Sequence, residues 1–165
     1  MLIYLFGLPA AGKNYVGRVL AEAFGYTFYD GDDDLTPEMR AAVRTEQPFT
    51  DAMRDRYYAL LIDRLADLTA RCPNLAFCQA TFKERHRQQI AVAFPDVVFV
   101  LVEADEAVRM ARLAQGGNPV TVEYARRIAA FFEPPQHPHF IIRNDGGRAD
   151  VVHQLDALLS WLAVK

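Results

Sequence analysis

A chain of 165 residues, 52% hydrophobic and 24% charged, has the size and composition of one globular domain with a well-buried core. Its 18 basic and 21 acidic residues leave a net charge of -3, which argues against a nucleic-acid footprint or an anionic membrane surface and favours a small-molecule partner. The two cysteines, Cys72 and Cys78, show neither CxxC spacing nor a neighbouring His pair, so reduced thiols in a cytoplasmic protein are expected, without a disulfide framework or zinc site.

The apolar start "MLIYLF" stops at Gly7, too short for a secretory h-region or a membrane span. Bounded by Gly-Leu-Pro, it reads as a strand buried on both faces. "GLPAAGKN", residues 7–14, then fits G-x-x-x-x-G-K-[ST] at every fixed position except the last, where Asn14 replaces a hydroxyl. A helix follows from Lys13, with Val16, Val19, Leu20 and Ala23 at helical spacing and Gly25 as its C-cap. "YTFYD" is a second strand, "DGDDDL" an acidic turn, and a polar stretch at 36–44 precedes an amphipathic pattern over 50–70; this middle region reads as helical.

"NLAFCQA" is a third strand, "KERHRQQIAVAF" a basic helix, "DVVFVLVEA" the clearest buried strand, and "DEAVRMARLA" a helix broken by "QGGNPVT". "VEYARRIAAFFE" is a helix ended by Pro134 and Pro135; "HFIIRND" and "DVVHQLDALLSWLAV" give a last strand and helix. There is no internal repeat. Strands alternating with helices imply an α/β, P-loop NTPase-type three-layer fold: a parallel sheet of about five strands, helices on both faces and a short lid. One domain, 1–165, is expected, with the lid at about 113–122.

In such a loop the glycines turn successive N–H groups toward one point and the next helix adds its positive end, which makes an anion cradle. Gly7, Leu8, Pro9, Ala10, Ala11, Gly12, Lys13, Asn14 and Tyr15 are the expected nucleotide-binding residues, with Lys13 reaching the terminal phosphates. Asn14 offers an amide oxygen to magnesium in place of the hydroxyl, and Asp30 is its expected partner at the metal. Asp30 and Asp32, two apart at a strand end, face the phosphates, and Asp32 is the expected base for a substrate hydroxyl. Asp33 and Asp34 read as a solvated turn.

These residues resemble the gluconate kinase and shikimate kinase group of P-loop small-molecule kinases. "GLPAAGKNYVGRVLAEAFGYTFYDGDDDL" looks like their P-loop, first helix and Asp-x-Asp strand end. Three stretches favour the gluconate kinase branch: "QPFTDAMR" resembles its "G-x-P-L-T-D-x-D-R", "KERHR" its "K-x-x-Y-R", and "FFEPP" the "L-E-x-P" after its lid. "IIRNDG" is similar to the segment beside the nucleotide base. The resemblance implies ATP and magnesium as cofactors, a small-molecule acceptor, no nucleic acid or membrane partner, and a homodimer as the suggested assembly. It further implies that Arg54, with Asp51 a second candidate, binds the acceptor, that Lys83 and Arg87 stand near the third strand end, and that Arg112 opens the lid as a catalytic and nucleotide-binding group.

Each has a plainer reading. Arg54 also reads as an exposed charge, "KERHR" as a solvated helix face, and His86, in place of the family Tyr, as a surface histidine. Tyr57, Tyr58, Phe131 and Phe132 read as packing. The chain departs from the family pattern at Asn14, at Thr36-Pro37 in place of "H-P", and at Gly116 and Gly117, where a second lid arginine belongs. Arg126 or Arg127 is the expected substitute. Two functions follow: an ATP-dependent kinase for a sugar acid or related alcohol, or an ATP-binding module with weakened chemistry that senses or scaffolds.

Overall fold

Every residue of the first strand, β1 (Leu2–Phe6), is buried, as a continuous apolar run requires when both sheet faces are covered. Its side chains alternate between two cores. Leu2, Tyr4 and Phe6 enter one, while Ile3 and Leu5 enter the other. The computed structural model describes residues 1–117 and 119–164. Four more strands, β2 (Thr27–Asp30), β3 (Leu75–Cys78), β4 (Val98–Glu103) and β5 (Phe140–Arg143), join β1 in the order β2-β3-β1-β4-β5, every pair parallel.

Helices α2 (Pro37–Arg44), α3 (Asp51–Arg71) and α4 (Glu84–Ala93) cover the first core, contributing Met39, Tyr57, Leu61, Leu65 and Ile90. On the other face lie α1 (Lys13–Phe24) and α7 (Arg148–Ala163), contributing Val16, Val19, Leu20, Val151 and Leu155. The three-layer α/β fold with a five-stranded parallel sheet is therefore present as expected. Gly25 closes α1 in the left-handed conformation, φ 73°. Thr36 and Thr50 cap α2 and α3, their hydroxyls accepting from the N–H groups of Met39 and Met53 at 3.2 Å each. Because β3 and β4 flank β1, connections leave it in opposite directions and open a crevice at the carboxyl ends of the strands.

Among the described residues, α5 (Glu106–Ala114) and α6 (Val122–Ala129) bracket the expected lid at 113–122; Asn118, within it, lies outside those residues. The helix expected over 122–133 stops at Ala129, before the prolines. Tertiary contacts end it: the Glu133 N–H donates to Phe82 O at 2.8 Å, and the Glu133 carboxylate accepts from Lys83 Nζ at 3.0 Å and from the Glu84 N–H at 2.8 Å. Phe131 is consequently exposed and does not pack. Phe132 stacks on Phe6, ring centroids 6.5 Å apart.

The basic helix α4 is not a solvated face. Arg87 is fully buried, donating from Nε to Glu84 Oε2, from one terminal nitrogen to Thr81 O and from the other to Glu133 O, each at 2.7 Å. Its guanidinium also lies over the rings of Phe6 and Phe132, at 5.3 and 5.6 Å. His86 is buried too, stacked on Tyr58 at 4.1 Å with Nε2 3.0 Å from Asp55 Oδ1. The carboxylate partner absent from its own helix comes from α3. Arg87→Ala is expected to lower stability by about 3–5 kcal/mol, since it takes a buried donor from one Glu84 oxygen and from the Thr81 and Glu133 carbonyls. Urea unfolding measures this, and a loss below about 1 kcal/mol would show that the network contributes little.

The same network predicts an acid sensitivity. Burial pushes the Glu84 carboxyl up, but hydrogen bonds from His137, Arg87 and the backbone, with the Arg87 charge, outweigh it and hold the pKa at about 2. A depressed folded-state pKa stabilises the fold above the ordinary carboxylate value near 4.5 and loses that contribution as pH falls toward 2. Thermal melts from pH 6 to 2.5 should therefore show a steep loss of Tm that is shallower in Glu84→Gln, the difference amounting to roughly 2–3 kcal/mol.

Candidate active site

Residues 7–12 leave β1 in a turn that few side chains tolerate. Gly7 has φ 143°, and a Cβ there would lie 2.4 Å from Val102 O; Gly12 has φ 95°, and a Cβ there would lie 1.9 Å from Asn144 Nδ2. Ala10, at φ 58°, adopts the left-handed region despite its side chain. Left-handed residues at 10 and 12 curl the loop N–H groups inward. No side chain caps the α1 N-terminus, so an anion can serve as its cap.

Arginines brace this loop through its carbonyls. Arg112, in the last turn of α5, donates to Ala10 O at 3.2 Å, Ala11 O at 3.3 Å and Asn144 O at 2.6 Å. Buried Arg109 donates to Pro9 O at 3.5 Å, and Asn144 Nδ2 donates to Ala11 O at 2.9 Å. Lys13 Nζ donates to Gly7 O at 3.2 Å and Leu8 O at 3.1 Å. Desolvation lowers the Lys13 pKa, opposed by the charge of Asp32.

The acidic turn stands across from the loop. Asp30 ends β2 and caps the short 3-10 turn Gly31–Asp34, Oδ1 accepting from the Asp32 N–H at 3.0 Å while Oδ2 accepts from Asn14 Nδ2. Because the Asn14 amide nitrogen meets a carboxylate, its oxygen is turned away from Asp30. Asp32 is exposed to the cleft, yet protein crowded around its carboxyl desolvates it and Asp30 repels its charge, which together raise its pKa against the opposing pull of Lys13 and Gln79. Asp34 serves the scaffold, pairing with Arg64 at 3.1 Å and accepting from Tyr29 at 2.9 Å.

A cleft of about 640 Å3 joins these groups. Pro9, Ala10, Gly12, Lys13, Asn14, Asp30 and Asp32 line one part, and Arg40, Arg44, Arg54, Gln79 and apolar side chains line the rest. Arg54 is 8% exposed and donates to Phe49 O, so it is a held cation and not a free surface charge.

Several predicted site residues stand elsewhere. Lys83 and Arg87 do not line the cleft, since Glu133, Glu84 and Thr81 occupy their donors. Arg112 engages the loop from outside, and Tyr15 is 40% exposed and also outside the lining. Neither lid substitute reaches the cleft: Arg126 lies 3.8 Å from Glu106, and Arg127 donates to Glu46 O at 2.7 Å. Sequence reasoning passed over Gln79, Arg40 and Arg44. A polar residue just after a buried parallel strand was the available signal for Gln79, and the i,i+4 arginine pair on a short helix was the signal for the others.

Magnesium fits the donors present. The Asp30 carboxylate and an amide oxygen such as that of Asn14 are hard ligands, and this ion takes few protein ligands while keeping waters and phosphate oxygens. No group of three or more His, Cys, Asp or Glu side chains among the described residues is arranged to hold a metal. No helix among the described residues is long and apolar enough to cross a membrane.

Over 42 residues the chain is 50% identical to a shikimate kinase of Thiobacillus denitrificans, a stretch making up 26% of this chain and 22% of that protein. Over 83 residues it is 31% identical to a probable gluconokinase of Mus musculus, 50% of this chain and 45% of that one. The matched stretches thus span less than half of either curated relative. A solved gluconokinase of Sinorhizobium meliloti 1021 superposes with a TM-score of 0.84 at 25% identity, covering 98% of this chain and 93% of that one. A family model described as an AAA domain matches residues 2–135, which takes in the phosphate loop, the acidic turn and the lid, and the protein therefore belongs to the AAA domain family.

Proposed function

We propose that this chain is a single-domain, ATP-dependent kinase that moves the γ-phosphoryl group to a hydroxyl of a small acidic metabolite. The observation that carries the reading is Lys13 in its loop facing Asp32 across one cleft. The loop N–H groups and Lys13 hold the phosphates, and Asp32 accepts the proton of the acceptor hydroxyl as the new bond forms. A raised pKa makes Asp32 a stronger proton acceptor. Arg54 gives the acceptor's anionic group a fixed partner. Relatives named gluconokinase and shikimate kinase support a hydroxy acid as acceptor.

Asp30 and Asn14 are the residues that would hold magnesium beside the phosphates, Asn14 through its amide oxygen once the amide turns toward the ion; when bound, magnesium neutralises charge on the transferring group. Asn14→Ser tests this. A hydroxyl can bridge Asp30 and the ion, so the variant is expected to bind ATP with a several-fold larger dependence on magnesium than the parent, read by calorimetry with and without the ion. An unchanged dependence would remove Asn14 from the metal site.

One observation favours the second reading, an ATP-binding module with weakened chemistry. No arginine from 112–127 enters the cleft, so the transferring group lacks a lid cation. ADP release measured with magnesium across sugar acids, polyols and cyclic hydroxy acids separates the two. Acceptor-dependent turnover establishes the kinase, while silence with intact ATP binding favours the module.

A further inference from the structure

Beyond the phosphate loop and the acidic turn, the cleft has walls that a polyhydroxylated acid does not need. Leu35, Val43, Phe49, Phe82, Tyr124 and Ile128 line it. They come from the end of the acidic turn, α2, the segment before α3, the segment before α4, and α6. Three of them, Phe82, Tyr124 and Ile128, form a small core cluster of their own, so the wall is a packed surface and not a scatter of single side chains.

The polar groups nearby are largely engaged. Tyr124 donates its hydroxyl to Gln47 O at 2.8 Å. Gln79 accepts the Ala80 N–H at 2.6 Å and donates to the Tyr57 hydroxyl. Arg40 donates to Leu35 O at 3.0 Å and to Asp33 O. What remains for an acceptor is Asp32, the guanidinium of Arg54, which also lies 5.9 Å from the Phe49 ring centroid, and Arg44, exposed and without a hydrogen bond or ion pair to another described residue.

Gluconate carries five hydroxyls. Only one is needed for the reaction, and a hydroxyl pressed against phenylalanine or isoleucine without a partner is destabilising. An apolar face in the same place gains by leaving water. We propose that the acceptor is a compact anionic alcohol with an apolar or aromatic face: its reactive hydroxyl meets Asp32, its body lies on the Phe49, Tyr124 and Ile128 wall, and its carboxylate or phosphate pairs with Arg54 and Arg44. The assignment rests on the kinase reading for the role of Asp32, while the chemistry of the wall stands apart from turnover.

The test uses the whole chain loaded with magnesium and a non-hydrolysable ATP analogue. Calorimetry compares gluconate with mandelate, pantoate and 4-(hydroxymethyl)benzoate, acids of equal charge that present an apolar or aromatic face. At least one of these should bind about tenfold or more tighter than gluconate. Phe49→Asn and Ile128→Thr, each checked for an unchanged melting curve, should narrow that ratio by several fold. Gluconate binding as well as or better than every apolar-faced acid overturns the proposal, and so does a ratio that neither folded variant moves. ADP formation with ATP in place of the analogue is read separately. Selective binding without turnover defeats the kinase reading and leaves the pocket chemistry standing, whereas turnover that prefers gluconate does the reverse.

Discussion

Replacing Lys13 by alanine is expected to weaken ATP binding by about 10²–10³-fold, as removal of a preorganised charged donor to phosphate does in a partly desolvated site. The ammonium is held over the loop by two carbonyls, Gly7 O and Leu8 O, and among the described residues no other lysine lines the cleft. Its loss leaves the loop N–H groups to hold the phosphates alone. The loop itself should survive, because Arg109, Arg112 and Asn144 brace its carbonyls independently of Lys13. Calorimetry with ATP and magnesium measures the effect, with the melting temperature of the unliganded variant confirming its fold. ATP affinity within threefold of the parent would defeat both the kinase and the binding-module readings.

Asp32→Asn should behave in the opposite way. Nucleotide affinity should change little, since the phosphate cradle is elsewhere, while turnover with any accepted acid falls by about 10²–10⁴-fold as the proton acceptor is lost. The amide conserves the shape of the carboxylate, so the 3-10 turn, whose cap is Asp30, should persist. The raised pKa adds a pH signature. As pH falls through the Asp32 pKa the base is protonated, and kcat should drop on the acid side in the parent but not in the variant's residual activity. Full turnover in Asp32→Asn would move the base to another group.

Legibility differed by the range of the interaction. The run 2–6, the loop 7–14 and the Asp30–Asp32 strand end were each readable because a few consecutive residues set the backbone path and the chemistry together. Asn14 was visible as a departure from the pattern, but its hydrogen bond to Asp30, sixteen residues away, follows from α1 packing beside β2. Misreadings were long-range. His86 pairs with Asp55 and Arg87 with the Glu133 carbonyl, 31 and 46 residues away. A charge count along α4 gives no sign of either partner, so His86 read as a surface histidine and Arg87 as an acceptor ligand or a solvated charge.

By itself the sequence determined the alternation of strands and helices, the phosphate loop and the paired carboxylates, because hydrophobic period and local turn chemistry act over a few residues. The tertiary structure decided which cations reach the cleft. Arg54 lines it, while Arg87, Arg112 and Arg127 are drawn to the Glu133 carbonyl, the loop carbonyls and Glu46. It also decided that an apolar wall lines part of the cleft. Each guanidinium settles on carboxylate or carbonyl oxygens that packing brings within about 3 Å, and those oxygens sit on elements far away along the chain.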